Sequence, residues 1–103
     1  MPRSPRYDAL FKPMRIGPKR AKNRFLQVPH ASGRTNAAPQ VRAAFRGMKA
    51  DGGRGVVYAG ACSVERSSDD FPFSCNVLLD EVDARAHALM TGAVHAHGRL
   101  AGV

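Results

Sequence analysis

Arg24-Phe25-Leu26-Gln27-Val28-Pro29-His30-Ala31-Ser32-Gly33 is the stretch around which the chain is read. An apolar run from Phe25 to Val28 stops at Pro29, which has no N–H to give to a central ladder, and a polar loop containing Gly33 follows. A buried strand that ends over a site has this form, because the loop backbone can come close to a ligand. Downstream, Gly52-Gly53-Arg54-Gly55-Val56-Val57 leads into a second strand. With a helix between them, the two strands make a parallel strand–helix–strand unit.

Working outward, residues 32–38 form a polar loop with Ser32, Gly33, Thr35 and Asn36. Pro39 suits the first turn of a helix to about Ala50, with Val41, Ala44, Phe45 and Met48 at helical spacing on its apolar face. Asp51-Gly52-Gly53 ends it. The second strand, Gly55 to Ala61, is small and apolar apart from Tyr58, as expected of a strand covered on both faces. Residues 63–79 read as irregular. Asp80 caps a second helix, from Glu81 to about His97, on which Val82, Ala86, Leu89, Met90, Ala93 and Val94 keep the period. Gly98 stops it, and Leu100-Ala-Gly-Val103 begins a further strand. Upstream, residues 1–9 read as a solvated leader. Residues 10–24 read as a hairpin turned at Gly17-Pro18, with Met14 and Ile16 on one face, Arg15 on the other, and a capping role.

The alternation of strands and helices is α/β. Three strands leave edges uncovered, and a closed eight-stranded barrel takes about 250 residues, so the chain is expected to be the first part of a larger protein.

The 103 residues carry 16 Lys+Arg against 8 Asp+Glu, a formal charge of +8, which raises a small basic nucleic-acid-binding protein as the alternative function. Eight of the cations fall in the first 24 residues, but only Tyr7, Phe11 and Phe25 could stack on bases there, and no nucleic-acid module is matched. A charged, solvated cap is the simpler reading. No apolar run approaches the roughly 20 residues of a membrane span, and the first residues lack the apolar core of a signal peptide, so a cytoplasmic protein is expected. Cys62 and Cys75 have neither zinc-knuckle nor disulfide-framework spacing and read as reduced thiols. His87, His95 and His97 read as solvated helix residues, and no metal site is expected. Gly52-Gly53-Arg54-Gly55 precedes a strand instead of opening a helix, which makes it a tight turn and not a phosphate cradle.

Four segments carry a family resemblance: Leu10-Phe-Lys-Pro-Met-Arg-Ile-Gly17, Lys22-Asn-Arg-Phe-Leu-Gln-Val-Pro-His30, Lys49-Ala-Asp-Gly-Gly53 and Leu100-Ala-Gly-Val103. In unbroken order they resemble the start of the old yellow enzyme superfamily (NADH:flavin oxidoreductases), nearest to its trimethylamine and dimethylamine dehydrogenase branch. The resemblance implies that residues 10–103 are the N-terminal part of a TIM (β/α)8 barrel, an incomplete barrel with its floor capped by the hairpin and FMN across the C-terminal strand ends. Val28, Pro29, His30 and Ala31 are similar to the stretch whose backbone meets the flavin ring, and Ala61 to another flavin contact. The trimethylamine dehydrogenase branch has a flavin-linking cysteine where this chain has Ala31, which implies noncovalent FMN. It has a cage tyrosine where this chain has Ala61, so one wall for a methylated ammonium is lost.

By the same implication the whole enzyme passes a hydride between flavin and a methylated amine or activated alkene. NAD(P)H or an electron-transfer protein would be its redox partner, with neither nucleic acid nor membrane involved, and the full-length protein is open to oligomerisation. Any iron–sulfur cluster would belong to a C-terminal part beyond this chain. The family's proton-donating residues would lie there too, the catalytic residues stay unassigned, and the short chain alone is expected to show no turnover.

Overall fold

In a computed structural model, which describes residues 2–30, 38–67, 69 and 76–103, a 3-10 turn (Pro5–Tyr7) and one α turn, α1 (Asp8–Phe11), open the chain. Strands β1 (Met14–Ile16) and β2 (Lys19–Ala21) pair antiparallel, with Met14 opposite Ala21 and Ile16 opposite Lys19. Gly17 takes φ +56° as the first residue of the two-residue turn, a conformation that would strain a residue with a Cβ.

The main sheet and its helices follow: β3 (Leu26–Gln27), α2 (Pro39–Asp51), β4 (Val56–Tyr58), β5 (Cys62–Ser63), β6 (Asn76–Val77), α3 (Glu81–His95) and β7 (Leu100–Gly102). Among the described residues the large sheet has the order β3-β4-β7, all parallel, with Leu26 beside Val56 and Val56 beside Leu100. Parallel neighbours require crossovers, and α2 and α3 supply them. At the sequence level Pro39 starts α2, the Asp80 carboxylate accepts the Asp83 N–H at 3.0 Å to start α3, and Gly98 at φ +67° follows α3's end.

The core lies between this sheet and the helices: Val57 and Ala59 from β4 and its end, Ala43 and Ala50 from α2, Met90 and Val94 from α3. Val57 and Val94 are fully buried. Alternation sends Val56 and Tyr58 to the opposite face, where Val56 is buried as well.

Four expectations are corrected. The buried face of α2 is Ala43, Arg46, Gly47 and Ala50, whereas Val41 and Met48 are exposed. Small residues win because they let the helices approach: a Cβ on Gly47 would sit 3.3 Å from the Ala93 Cβ. On α3, Met90 and Val94 are buried while Val82 and Leu89 remain exposed, so about half of the apolar stripe meets the core. The Phe25 to Val28 run is not a buried strand; Phe25, Leu26 and Val28 are all exposed, since among the described residues β3 is an edge strand paired with β4 alone. Within the stretch read as irregular, β5 and β6 pair in parallel, Cys62 with Asn76 and Ser63 with Val77.

Candidate functional site

The C-terminal ends of β3 and β4 meet at a shelf poor in side chains. Val28, Pro29 and His30 follow β3 and are exposed; Ala31 lies outside the described residues. Ala59 and Gly60 follow β4 and are buried, and Ala61 emerges at the surface. The strand ends are close: a Cβ on Gly60 would stand 3.1 Å from the His30 carbonyl oxygen and 3.4 Å from Asn76 Nδ2. On the face of Val56 and Tyr58, a Cβ on Gly102 would collide with Cε1 of Tyr58, so the tyrosine ring occupies the space a side chain on β7 would need.

Polar side chains hold this shelf from behind. The Arg46 guanidinium, on the buried face of α2, donates from Nη2 to the His30 carbonyl. Asn76 donates from Nδ2 to the Ala61 carbonyl at 3.1 Å, and its Oδ1 accepts from Arg42 Nη1 at 2.9 Å. Arg46 and Asn76 retain 6% and 9% of their exposure, so these bonds operate where water competes little. The structure thus brings His30 and Ala61 into one neighbourhood. Arg42, Arg46 and Asn76 are not among the residues that the family resemblance singles out. Arg46 had a signal, since it sits one turn from both Ala43 and Ala50 on the small-residue stripe; Asn76, in a stretch read as irregular, had none.

The opposite end is closed differently. Asn23 donates from Nδ2 to the Gly53 carbonyl at 2.6 Å, its Oδ1 accepts from the Phe25 N–H at 3.0 Å, and Gly55 N–H donates to the Phe25 carbonyl at 2.9 Å. Gly53 has φ +104°, which fits the expected tight turn. A cleft of about 700 Å³, lined in part by Phe11, Phe25, Arg54 and Arg99, opens here, at the far end of the strands from His30 and Ala61.

Cys62 and His87 form a second pairing, with Sγ 3.8 Å from Nε2. His87 is half-buried and not a solvated helix residue as expected. Its Nε2 lies 3.0 Å from the Val77 carbonyl, and a carbonyl only accepts, so Nε2 carries a proton and has no lone pair to activate the thiol. Burial, and then the Asp83 carboxylate, raise the Cys62 pKa. Both causes oppose formation of the thiolate.

No described helix is long and apolar enough to cross a membrane. Residues 9–103 match the model of the NADH:flavin oxidoreductase / NADH oxidase family. The chain is 42% identical over 102 residues to dimethylamine dehydrogenase of Hyphomicrobium sp. (strain x), covering 99% of this chain and 14% of that protein. It superposes on histamine dehydrogenase from Rhizobium sp. 4-9 with a TM-score of 0.89 and 42% identity, over 97% of this chain and 15% of the other. With 6-hydroxypseudooxynicotine amine oxidase from Pseudomonas geniculata N1 the TM-score is 0.85 at 40% identity, over 98% and 15%. The chain therefore spans about a seventh of the length of these relatives, and its open sheet corresponds to part of a TIM barrel. The basic hairpin lies inside the matched stretch, so its charge belongs to an oxidoreductase segment and not to a separate nucleic-acid module. An unbroken match from residue 9 to residue 103 makes this chain a member of the old yellow enzyme superfamily of FMN-dependent oxidoreductases.

Proposed function

We propose that this chain supplies one side of an FMN site and that the protein carrying it oxidises an amine. The observation that carries the reading is the likeness over nearly the whole chain to proteins named for oxidising dimethylamine and histamine. Its own residues suit a planar ring. Gly60 and Gly102 are places a Cβ would overfill, and Ala61 is small, so the strand ends offer backbone at close range. Val28, Pro29, His30, Ala31 and Ala61 would form this edge, binding through main-chain atoms and excluding water from one face. His30 would act through its backbone, whose orientation the Arg46 bond to its carbonyl fixes.

When bound, FMN supplies the hydride acceptor. Position 31 is alanine and has no thiol, which supports noncovalent attachment. Ala61 offers no aromatic wall for cation–π binding, which favours a primary or secondary amine over a fully methylated ammonium. A small-molecule substrate, an electron carrier and a cytoplasmic setting complete the reading, with reduction of an activated alkene as the wider family's counterpart.

The test is the visible spectrum and acid-extracted flavin of the protein expressed from its own gene, followed by anaerobic addition of dimethylamine or histamine. Extractable FMN bleached by an amine is the expected result. Bleaching by NADPH and recovery with an enone, but no response to amines, would move the substrate to alkenes; a colourless protein would overturn the reading.

A further inference from the structure

We propose that Arg46 and Asn76 are positioning residues for the flavin ring, acting through the His30 and Ala61 carbonyls; this rests on the FMN reading above. The sequence places the two donors on different elements, α2 and β6, yet each ends on one of the two exposed turns at the shelf. A peptide unit is planar, so holding its carbonyl oxygen fixes the orientation of the whole plane. With one plane fixed by Arg46 and another by Asn76, the two strand ends present a single rigid ledge.

The arrangement is over-engineered for fold support alone. A buried guanidinium is costly unless its hydrogen bonds are well placed, and an apolar residue at position 46 would match the neighbouring Ala43, Gly47 and Ala50 better. Asn76 is in turn oriented by Arg42 at 2.9 Å, which makes Arg42 the support of a support. Ring orientation, and the environment of the ring's polar edge, are what such a fixed ledge controls. A buried cation near the ledge also favours the added negative charge of a reduced ring.

Asn76→Asp and Arg46→Lys separate positioning from folding, in the natural gene product loaded with FMN. Asn76→Asp keeps an acceptor for Arg42 and loses the donor to Ala61; Arg46→Lys keeps the charge and loses the planar fork. Each is expected to weaken FMN binding about tenfold, the value of one hydrogen bond in a dry setting. Each should also blur the resolved flavin absorption band and lower the midpoint potential in Asn76→Asp, with apo-protein melting near that of the unsubstituted protein. Met48→Ala, on the exposed face of α2, should change none of these.

Affinity and spectrum unchanged in both variants would overturn the proposal. So would loss of binding that only tracks loss of folding, or failure of both variants to fold, since Arg46 and Asn76 would then be supports of the fold. Absence of FMN uptake by the unsubstituted protein would instead count against the proposed function.

Discussion

Each end of the β3-β4-β7 sheet is fastened by an asparagine amide donating to a main-chain carbonyl, Asn23 to Gly53 at one end and Asn76 to Ala61 at the other. The two ties work from opposite sides. Asn23 lies in the segment leading into β3 and pulls the turn before β4 against it, so that Gly55 has no space for a side chain: a Cβ there would stand 2.7 Å from the Asn23 carbonyl oxygen. Asn76 from β6 and Arg46 from α2 reach the other end through its main-chain carbonyls. At one end the turn is closed by backbone meeting backbone, with the cleft of about 700 Å³ beside it. The other is held by side chains that bond to its main-chain carbonyls.

The largest expected effect is at the closed end. Gly55→Ala should cost about 3 kcal/mol, because the obstacle is main chain and cannot swing aside. Gly60→Ala, with contacts at 3.1 and 3.4 Å, should cost about 1 kcal/mol yet weaken FMN binding more than Gly55→Ala does in whatever fraction folds. Denaturant melts paired with flavin titration check this, and the reverse order would break the contrast.

Asn23→Ala comes next, at about 1–2 kcal/mol for the loss of bonds to the Gly53 carbonyl and the Phe25 N–H. FMN affinity of the folded protein should stay unchanged. A change there would mean that the two ends are coupled through β3 and β4, sharpening the picture from two independent ties to one lever.

The smallest effect concerns Cys62, just past the shelf. Burial and the Asp83 charge oppose thiolate formation, so at pH 8 the thiol should react with iodoacetamide more slowly than free cysteine, measured in a Cys75→Ser background. Asp83→Asn removes a negative charge, lowers the pKa, increases the thiolate present at any given pH, and should speed alkylation. An unchanged rate would assign the protection to burial alone.

How far the sequence could be read differs between the same two regions. Gly52-Gly53-Arg54-Gly55 announced a tight turn by composition, and the closed end is largely that turn. Val28 to Ala31 and Ala61 were picked out as a site by family resemblance, and the structure adds the neighbourhood of His30 and Gly60. The clamp behind them was not legible, because Asn76 acts across a parallel pairing of two two-residue strands that no periodicity reveals.

By itself the sequence determined what depends on neighbours along the chain: the Gly17 turn, the Pro39 and Asp80 helix starts, the stop at Gly98, the strand–helix alternation, and the family. Tertiary structure alone decided which helix face is buried and what stands behind the shelf. Hydrophobic spacing ranks faces by apolar content and favoured Val41 and Met48. Packing ranks them by how closely two helices can approach, and that selects Ala43, Gly47 and Ala50, drawing Arg46 inward to the His30 carbonyl.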